Sequence, residues 1–347
     1  MAKKKDMKKL RFSLGVKRLF LLLFSLFIIG LSTGMFLLYG PITWLRETLI
    51  TTAMTTMTHQ KYARWFYDEA TINRVLANNK IIESGDETDP NLIHGNQSGK
   101  WKNKFERQLF EGVTKNMDYR IIDISGPRYK GYLVAVYKPE KVQLATTSRL
   151  GVIGQSTKVI SRNNNAQVAI NAGGFYDPDW NSNGAIPHGI TVSKGKIVYE
   201  YAKAGVGGGM VGFNKDNVLV LGRMTRQQVI DRGIRDGVEF GPFLVVNGKP
   251  SFVKGDGGWG IAPRTAIGQR RDGVVLMLVI DGRTTRSLGA GMVELTEIMM
   301  NYGAWNAANM DGGSSSSLIV NNKVHSRPVA GGAEGLRNLP TAWIVAQ

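Results

Sequence analysis

The strongest constraint in this chain is a run of 22 positions, residues 19–40, without one charged side chain. About 20 apolar residues cross the hydrocarbon core of a bilayer as a helix, so this run is expected to be a transmembrane helix. Upstream, Lys3, Lys4, Lys5, Lys8, Lys9, Arg11, Lys17 and Arg18 face only Asp6. A basic flank of this kind stays in the cytoplasm. Residues 1–18 are therefore expected to be a cytoplasmic tail, and everything after residue 40 to lie outside a cell membrane that the chain crosses once. A cleaved signal peptide is the competing reading, and Ser32, Thr33 and Gly34 resemble a cleavage site. Its apolar region usually covers only about 7–15 residues, whereas this run continues to Leu37-Leu38-Tyr39-Gly40-Pro41. Anchoring is the preferred reading.

Residues 41–79 read as helical, with Ile42, Leu45, Leu49, Ala63, Phe66 and Ile72 at helical spacing. The polar, small stretch 51–58 fits a stalk, a docking helix or a plain spacer. Residues 84–100 read as a surface linker, and Asn96-Gln97-Ser98 matches a glycosylation triplet that in a bacterial chain implies only exposure. Together, 41–118 are expected to be an extracellular helical stalk and linker. From residue 119 the texture changes. Apolar runs of strand length (121–124, 132–137, 168–170, 196–199, 218–221, 243–246, 274–280, 318–320 and 342–345) alternate with glycine turns. One helix is expected near 292–302, with Met292, Leu295 and Met299 on one side. The fold class is α+β, a mixed, sheet-rich single domain over 119–347 with few helices. The 42 glycines fit many tight turns, and the absence of cysteine excludes disulfides and thiolate chemistry. Seven of the +17 formal charges belong to the tail, leaving +10 on the rest. A basic domain outside a cell attracts polyanions, so an anionic wall polymer or polysaccharide is the expected partner, rather than nucleic acid.

Four glycine-flanked polar clusters adjoin expected strands, where loops project polar groups from a rigid edge. The first is Asn171-Ala172-Gly173-Gly174-Phe175-Tyr176, reaching on to His188-Gly189; its glycines permit close backbone approach to a ligand. In the second, 260–268, Arg264 and Thr265 follow Pro263, and the guanidinium can fork onto a phosphate or carboxylate. The third is Asp281-Gly282-Arg283, closing the most apolar strand and followed by a helix that carries Glu294 and Glu297; two carboxylates there can act as paired acid and base. The fourth, Asn309-Met310-Asp311-Gly312-Gly313-Ser314, opens a glycine–serine turn able to present backbone N–H groups to an anion. Each cluster also has a plain structural reading, as a turn, an ion pair or a solvated helix face.

In this order the five motifs Asn-x-Gly-Gly-Phe, His-Gly, Ala-Pro-Arg-Thr-Ala-Ile-Gly, Asp-Gly-Arg with its Glu-x-x-Glu helix, and Asn-x-Asp-Gly-Gly-Ser-Ser resemble the phosphodiester glycosidase family over roughly residues 120–346. The resemblance implies a hydrolase acting on a glycosyl 1-phosphodiester, in an envelope glycopolymer or exopolysaccharide. It implies that Asp281, Glu297 and Asp311 are catalytic, and that Asn171, Gly173, Gly174, His188, Arg264, Thr265, Arg283, Gly312, Gly313 and Ser314 bind substrate. Four serines after Gly313 depart from the expected pattern, which bears on substrate preference. No cofactor is expected and no metal ligand set is assigned. A hard cation such as calcium on Asp281, Glu297, Asp311 and Asn171 is compatible but not demanded by any spacing. Two rivals compete. One is a serine hydrolase built on Ser314–Ser317 with His188 or His325, which lacks a Gly-x-Ser-x-Gly elbow. The other is a non-catalytic wall-polymer or exopolysaccharide binder, which the clustered carboxylates argue against.

Overall fold

The computed structural model describes residues 2–56, 59–94, 101, 103–178, 182–201, 208–331 and 334–347. The Asn96-Gln97-Ser98 triplet and the rest of residues 95–100 of the expected linker lie outside them. Three antiparallel sheets form the body. Sheet A has seven strands in the order Lys249–Pro250, Phe243–Val246, Ala304–Met310, Arg264–Arg270, Val275–Ile280, Lys130–Val136 and Tyr119–Ser125. Sheet B runs Leu219–Gly222, Gly209–Asn214, Ile234–Phe240, Ile190–Ser193 and Lys196–Glu200. Sheet C runs Lys323–Val324, Leu318–Val320, Ala166–Asn171, Thr341–Ala346 and Val142–Thr146.

The period-2 geometry of a strand explains the layering. In the strand Val275–Ile280, Val275, Met277 and Val279 enter the central core shared by all three sheets, with Val134, Ile170, Phe213 and Trp343. The intervening Leu276, Leu278 and Ile280 face the opposite side, where the helix Met292–Asn301 covers them with Met292, Leu295, Ile298 and Met299. A strand buried on both faces reads as an unbroken apolar run, and this one does. The expected α+β architecture is the one found.

The N-terminal region is four helices: α1 (Ala2–Tyr39), α2 (Thr43–Thr55), α3 (Gln60–Phe66) and α4 (Glu69–Asn78). The first includes an apolar stretch, Gly15–Tyr39, long enough to cross a membrane. The described residues of 43–110 pack on themselves and on the body, where a separate stalk was expected. Ile50, Ala63, Ile72 and Val75 form their own small core. The strand Lys80–Ile82 pairs with Phe252–Lys254, and Leu109, fully buried, packs beneath sheet A. The threonines of α2 also bind the body: Thr51 donates to Asp256, and Thr52 Oγ1 accepts from Ile261 N at 3.1 Å. Of the readings open for 51–58, docking is what the described residues do.

Candidate active-site cleft

Antiparallel registry brings the motif loops together. Arg264 stands opposite Ile280 and Thr265 opposite Met310, so the start of one strand lies beside the ends of its two neighbours. Asn171, closing a strand of sheet C, then knots three loops. Its Nδ2 donates to the Asp311 carbonyl at 2.6 Å, and its Oδ1 accepts from Thr265 Oγ1 at 2.8 Å and from Ser317 N at 3.1 Å. An asparagine that is 0% exposed with all these bonds made has little capacity left for a ligand. Asn171 and Thr265, expected to bind substrate, instead hold the frame.

The cleft they frame has a volume of about 630 Å³, within the range of small-ligand sites. Gly174, His188, Arg264, Arg283, Asp311, Gly312, Gly313 and Ser314 line it. Asp311 is central. Burial pushes its carboxyl up to about 6 and the nearby Asp177 adds to the rise, against the Ser315 hydroxyl, the charge of Arg337 and the Gly312 N–H. Arg264 is only 3% exposed. Its Nε donates to the Ala290 carbonyl at 3.1 Å and its Nη2 to the carbonyls of Gly260, at 2.8 Å, and Trp259. Carbonyls without formal charge hold it, and burial draws it down to about 10. Its Nη1 is directed past Gly312, where an added side chain would meet it at 3.5 Å. Arg283, in the left-handed region at φ +57°, overhangs the cleft and donates from Nη2 to Thr56 Oγ1 at 3.2 Å. His188 is half-buried, and burial lowers its pKa, favouring the neutral ring.

Several expected roles do not survive the geometry. Glu297 is exposed on the far side of its helix, lining a separate groove with Pro250, Val293 and Met300. Asp281, 5% exposed, does not line the cleft. Its Oδ1 accepts from Arg327 N at 2.8 Å, burial being the main cause of its raised pKa. Gly173 packs against Val238 rather than opening to the cavity. The turn amides expected to cradle an anion are committed: Gly312 N donates to Asp311 Oδ1 at 3.0 Å and Gly313 N to the Pro263 carbonyl at 2.9 Å. These two glycines supply room instead of donors. The oxygen set considered for a hard cation is likewise not assembled, since Glu297 and Asp281 lie apart from Asp311 and the Asn171 oxygen is taken. No group of three His, Asp or Glu placed to hold a metal ion occurs among the described residues.

Sequence reasoning missed four contributors. Asp177 lines the cleft, accepts from Ser182 N at 2.9 Å and pairs with Arg337, whose guanidinium lies 4.6 Å from the Phe175 ring. Asp177 stands three residues beyond Gly174 in the same loop, a proximity that was there to be read. Arg337 had no motif around it. Thr55, the last residue of α2, and Thr56 just after it complete the wall.

The profile of the phosphodiester glycosidase family matches residues 164–346, just over half of the chain and all of these loops except α2. The chain belongs to the phosphodiester glycosidase family. Its relatives include the SPbeta prophage-derived uncharacterized protein YomE of Bacillus subtilis, 32% identical over 196 residues, or 54% of this chain and 29% of that protein. Another is the Bos taurus N-acetylglucosamine-1-phosphodiester alpha-N-acetylglucosaminidase, 26% identical over 157 residues, 40% of this chain and 29% of that protein. The chain thus spans about 29% of the length of these curated relatives. Among solved structures, the catalytic domain of the zebrafish enzyme of that name, auto-inhibited by its pro-peptide, shares the fold. The TM-score is 0.56 at 20% identity, over 67% of this chain and 85% of that one.

Proposed function

We propose that this protein hydrolyses a glycosyl 1-phosphodiester at the anomeric carbon. Water adds to C1, the bond from C1 to the phosphate oxygen breaks, and that oxygen leaves with its electron pair as part of a phosphate monoester. Asp311 takes the proton from water as it attacks. A carboxyl raised to about 6 is a stronger base than an ordinary one and is still ionised near neutrality. Arg264, through the Nη1 directed past Gly312, and the overhanging Arg283 meet the phosphodiester charge. Asp177, paired with Arg337, sets a carboxylate beside the centre, where a cationic sugar carbon develops. Phosphate leaves readily, so a strong general acid is not required, and a neutral His188 suits a hydrogen-bonding role toward the sugar. The observation that carries this reading is the raised Asp311 carboxyl in one cleft with Arg264, Arg283 and Arg337.

The test is hydrolysis of a hexosamine 1-(methyl phosphate) diester by the full chain in H₂¹⁸O. Cleavage at carbon leaves methyl phosphate free of label. Label in the phosphate would mean attack at phosphorus and would sink the assignment as a glycosidase, and no turnover at all would favour a binding protein.

We also propose that α1 is a single-span anchor with its N-terminus in the cytoplasm, holding the domain outside over an envelope glycopolymer or exopolysaccharide. The length and apolarity of Gly15–Tyr39 and the basic flank support this. Since the chain has no cysteine, single cysteines report topology cleanly. On intact cells an impermeant maleimide is expected to label Ser125→Cys and spare Ser13→Cys; the reverse pattern would refute the orientation.

A further inference from the structure

Beside the cleft lies a second groove of about 690 Å³, formed where α4 and the strand Lys80–Ile82 cross the loops of the body. The two cavities share two residues, Phe240 and Trp259, so that these side chains form a saddle between them. Glycines make much of the second groove's floor. Its polar rim carries Lys80, which is exposed, and Arg223, two-thirds exposed and bound to Glu83 at 2.9 Å. With Glu83 neutralised by Arg223, the surplus charge is the cation of Lys80. None of the catalytic groups proposed above belongs to this groove.

We infer that this groove is a subsite for the phosphate-linked side of a polymeric substrate, holding the sugar units that follow the scissile phosphodiester. The inference rests on the proposed hydrolysis and names its substrate class: a chain rather than a small diester. Three observations set the direction and the chemistry. The Arg264 guanidinium lies 5.7 Å from the Trp259 ring, which places the phosphate at the saddle, with the cleaved sugar toward Asp311 and the leaving chain beyond Trp259. Aromatic faces with an open floor suit the apolar faces of sugar rings, which need flat contact and few directed bonds. The cationic rim suits further phosphates along a polyanion. A methyl or other small aglycone would end at the saddle and leave 690 Å³ unused.

Lys80→Ala and Arg223→Ala, singly and together in the full chain, test this against two substrates. One is the hexosamine 1-(methyl phosphate) diester; the other carries a trisaccharide phosphate in place of the methyl group. Wild type is expected to prefer the longer substrate at least tenfold in kcat/KM. The double variant is expected to lose most of that preference through KM, about fivefold or more, with the methyl diester unchanged within twofold. Equal effects on both substrates, or no preference in wild type, would overturn the subsite. If neither substrate turns over, the catalytic reading fails, and the groove is then judged by binding. The trisaccharide phosphate should bind the full chain in calorimetry and bind at least fivefold more weakly to the double variant; no such difference would overturn the subsite as well.

Discussion

Asp281-Gly282 and Asp311-Gly312 are the same dipeptide at the ends of two strands that flank a third, the one that begins at Arg264. Locally they are indistinguishable, each an acid and a glycine after an apolar strand. Their surroundings divide them. Asp281 turns its carboxyl to Arg327 N, while its carbonyl accepts from the Ser287 hydroxyl and its N–H donates to the Lys130 carbonyl. Asp311 has its backbone fastened by Asn171 and Ala172, leaving the carboxyl at the cleft beside Ser315 and Asp177. Each carboxyl accepts from one backbone amide, Asp311 from Gly312 N and Asp281 from Arg327 N, but only Asp311 also lines the cleft, and a fixed backbone with a partly desolvated side chain open to a ligand is what a reacting group requires.

The sharpest way to break this comparison is to remove each carboxyl. Asp311→Asn is expected to lower kcat on the methyl diester by about 10³-fold, within the range for a lost general base. The same change should raise stability at pH 8. A carboxyl raised to about 6 in the fold contributes stability that is present below its ordinary pKa and is lost as pH rises through about 6. The amide has no such loss, so the variant should gain roughly 1–3 kcal/mol at pH 8 and nothing near pH 4, by urea denaturation at both. Asp281→Ala should show the opposite balance, with activity within threefold of wild type and stability down by about 1 kcal/mol for one lost hydrogen bond. Comparable losses of activity in both would put Asp281 into the chemistry.

Arg264 and His188, a charged and a neutral group of the same cleft, give the next contrast. Arg264→Lys keeps a charge but loses the fork, and should cost about 10–100-fold in kcat/KM, the worth of a charged hydrogen bond. Since Arg264 also ties three carbonyls together, a melting curve must accompany the kinetics. His188→Ala should cost less than tenfold, because a ring that burial keeps neutral carries no charge to the phosphate. Equal and mild effects in both would count against the arrangement.

Acidity offers a smaller effect that requires no mutation. Asp311 must be ionised to accept a proton. The logarithm of kcat/KM should therefore rise with a slope of one below pH about 6 and level off above it, following the raised carboxyl. A midpoint near 4 would mean that substrate-free Asp311 behaves as an ordinary acid, and the base would have to be sought elsewhere.

How far these features could be read in the sequence depends on where their polar atoms are satisfied. Strands such as Phe243–Val246 and Val275–Ile280 announce themselves because both faces are apolar. Ala304–Met310 and Ile234–Phe240 do not, for Asn306, Asn309 and Asp236 interrupt the pattern and are nonetheless buried. Their partners are distant in the chain: Asn306 Oδ1 accepts from Asn247 N at 2.9 Å, and Asn309 Nδ2 donates to the Gly241 carbonyl at 3.0 Å. No window of sequence contains such bonds. The same holds in the cleft. Asp311, Arg264 and His188 stood in recognisable motifs, whereas Arg337 enters only because the chain returns to Asp177. The helix α2 was legible as a helix, but nothing in its threonines told that Thr56, the residue just past its end, would meet Arg283.

Glu297 makes the smallest and cleanest prediction, because it tests what spacing alone can mislead. Glu294 and Glu297 sit three apart, which on a helix puts them near one face, and from sequence either could have pointed toward the acids of the neighbouring loops. Packing decides between them: Glu294 pairs with Arg128 and accepts from Gly291 N at 3.0 Å at the helix start, while Glu297 faces solvent. An exposed carboxylate far from the cleft has no route to the reacting carbon. Glu297→Gln should leave kcat, KM and the pH profile within twofold of wild type and shift stability by less than about 0.5 kcal/mol, as surface substitutions do. A tenfold loss of kcat in that variant would mean that the helix Met292–Asn301 turns during catalysis, and the cleft would then have to be redrawn around a second acid.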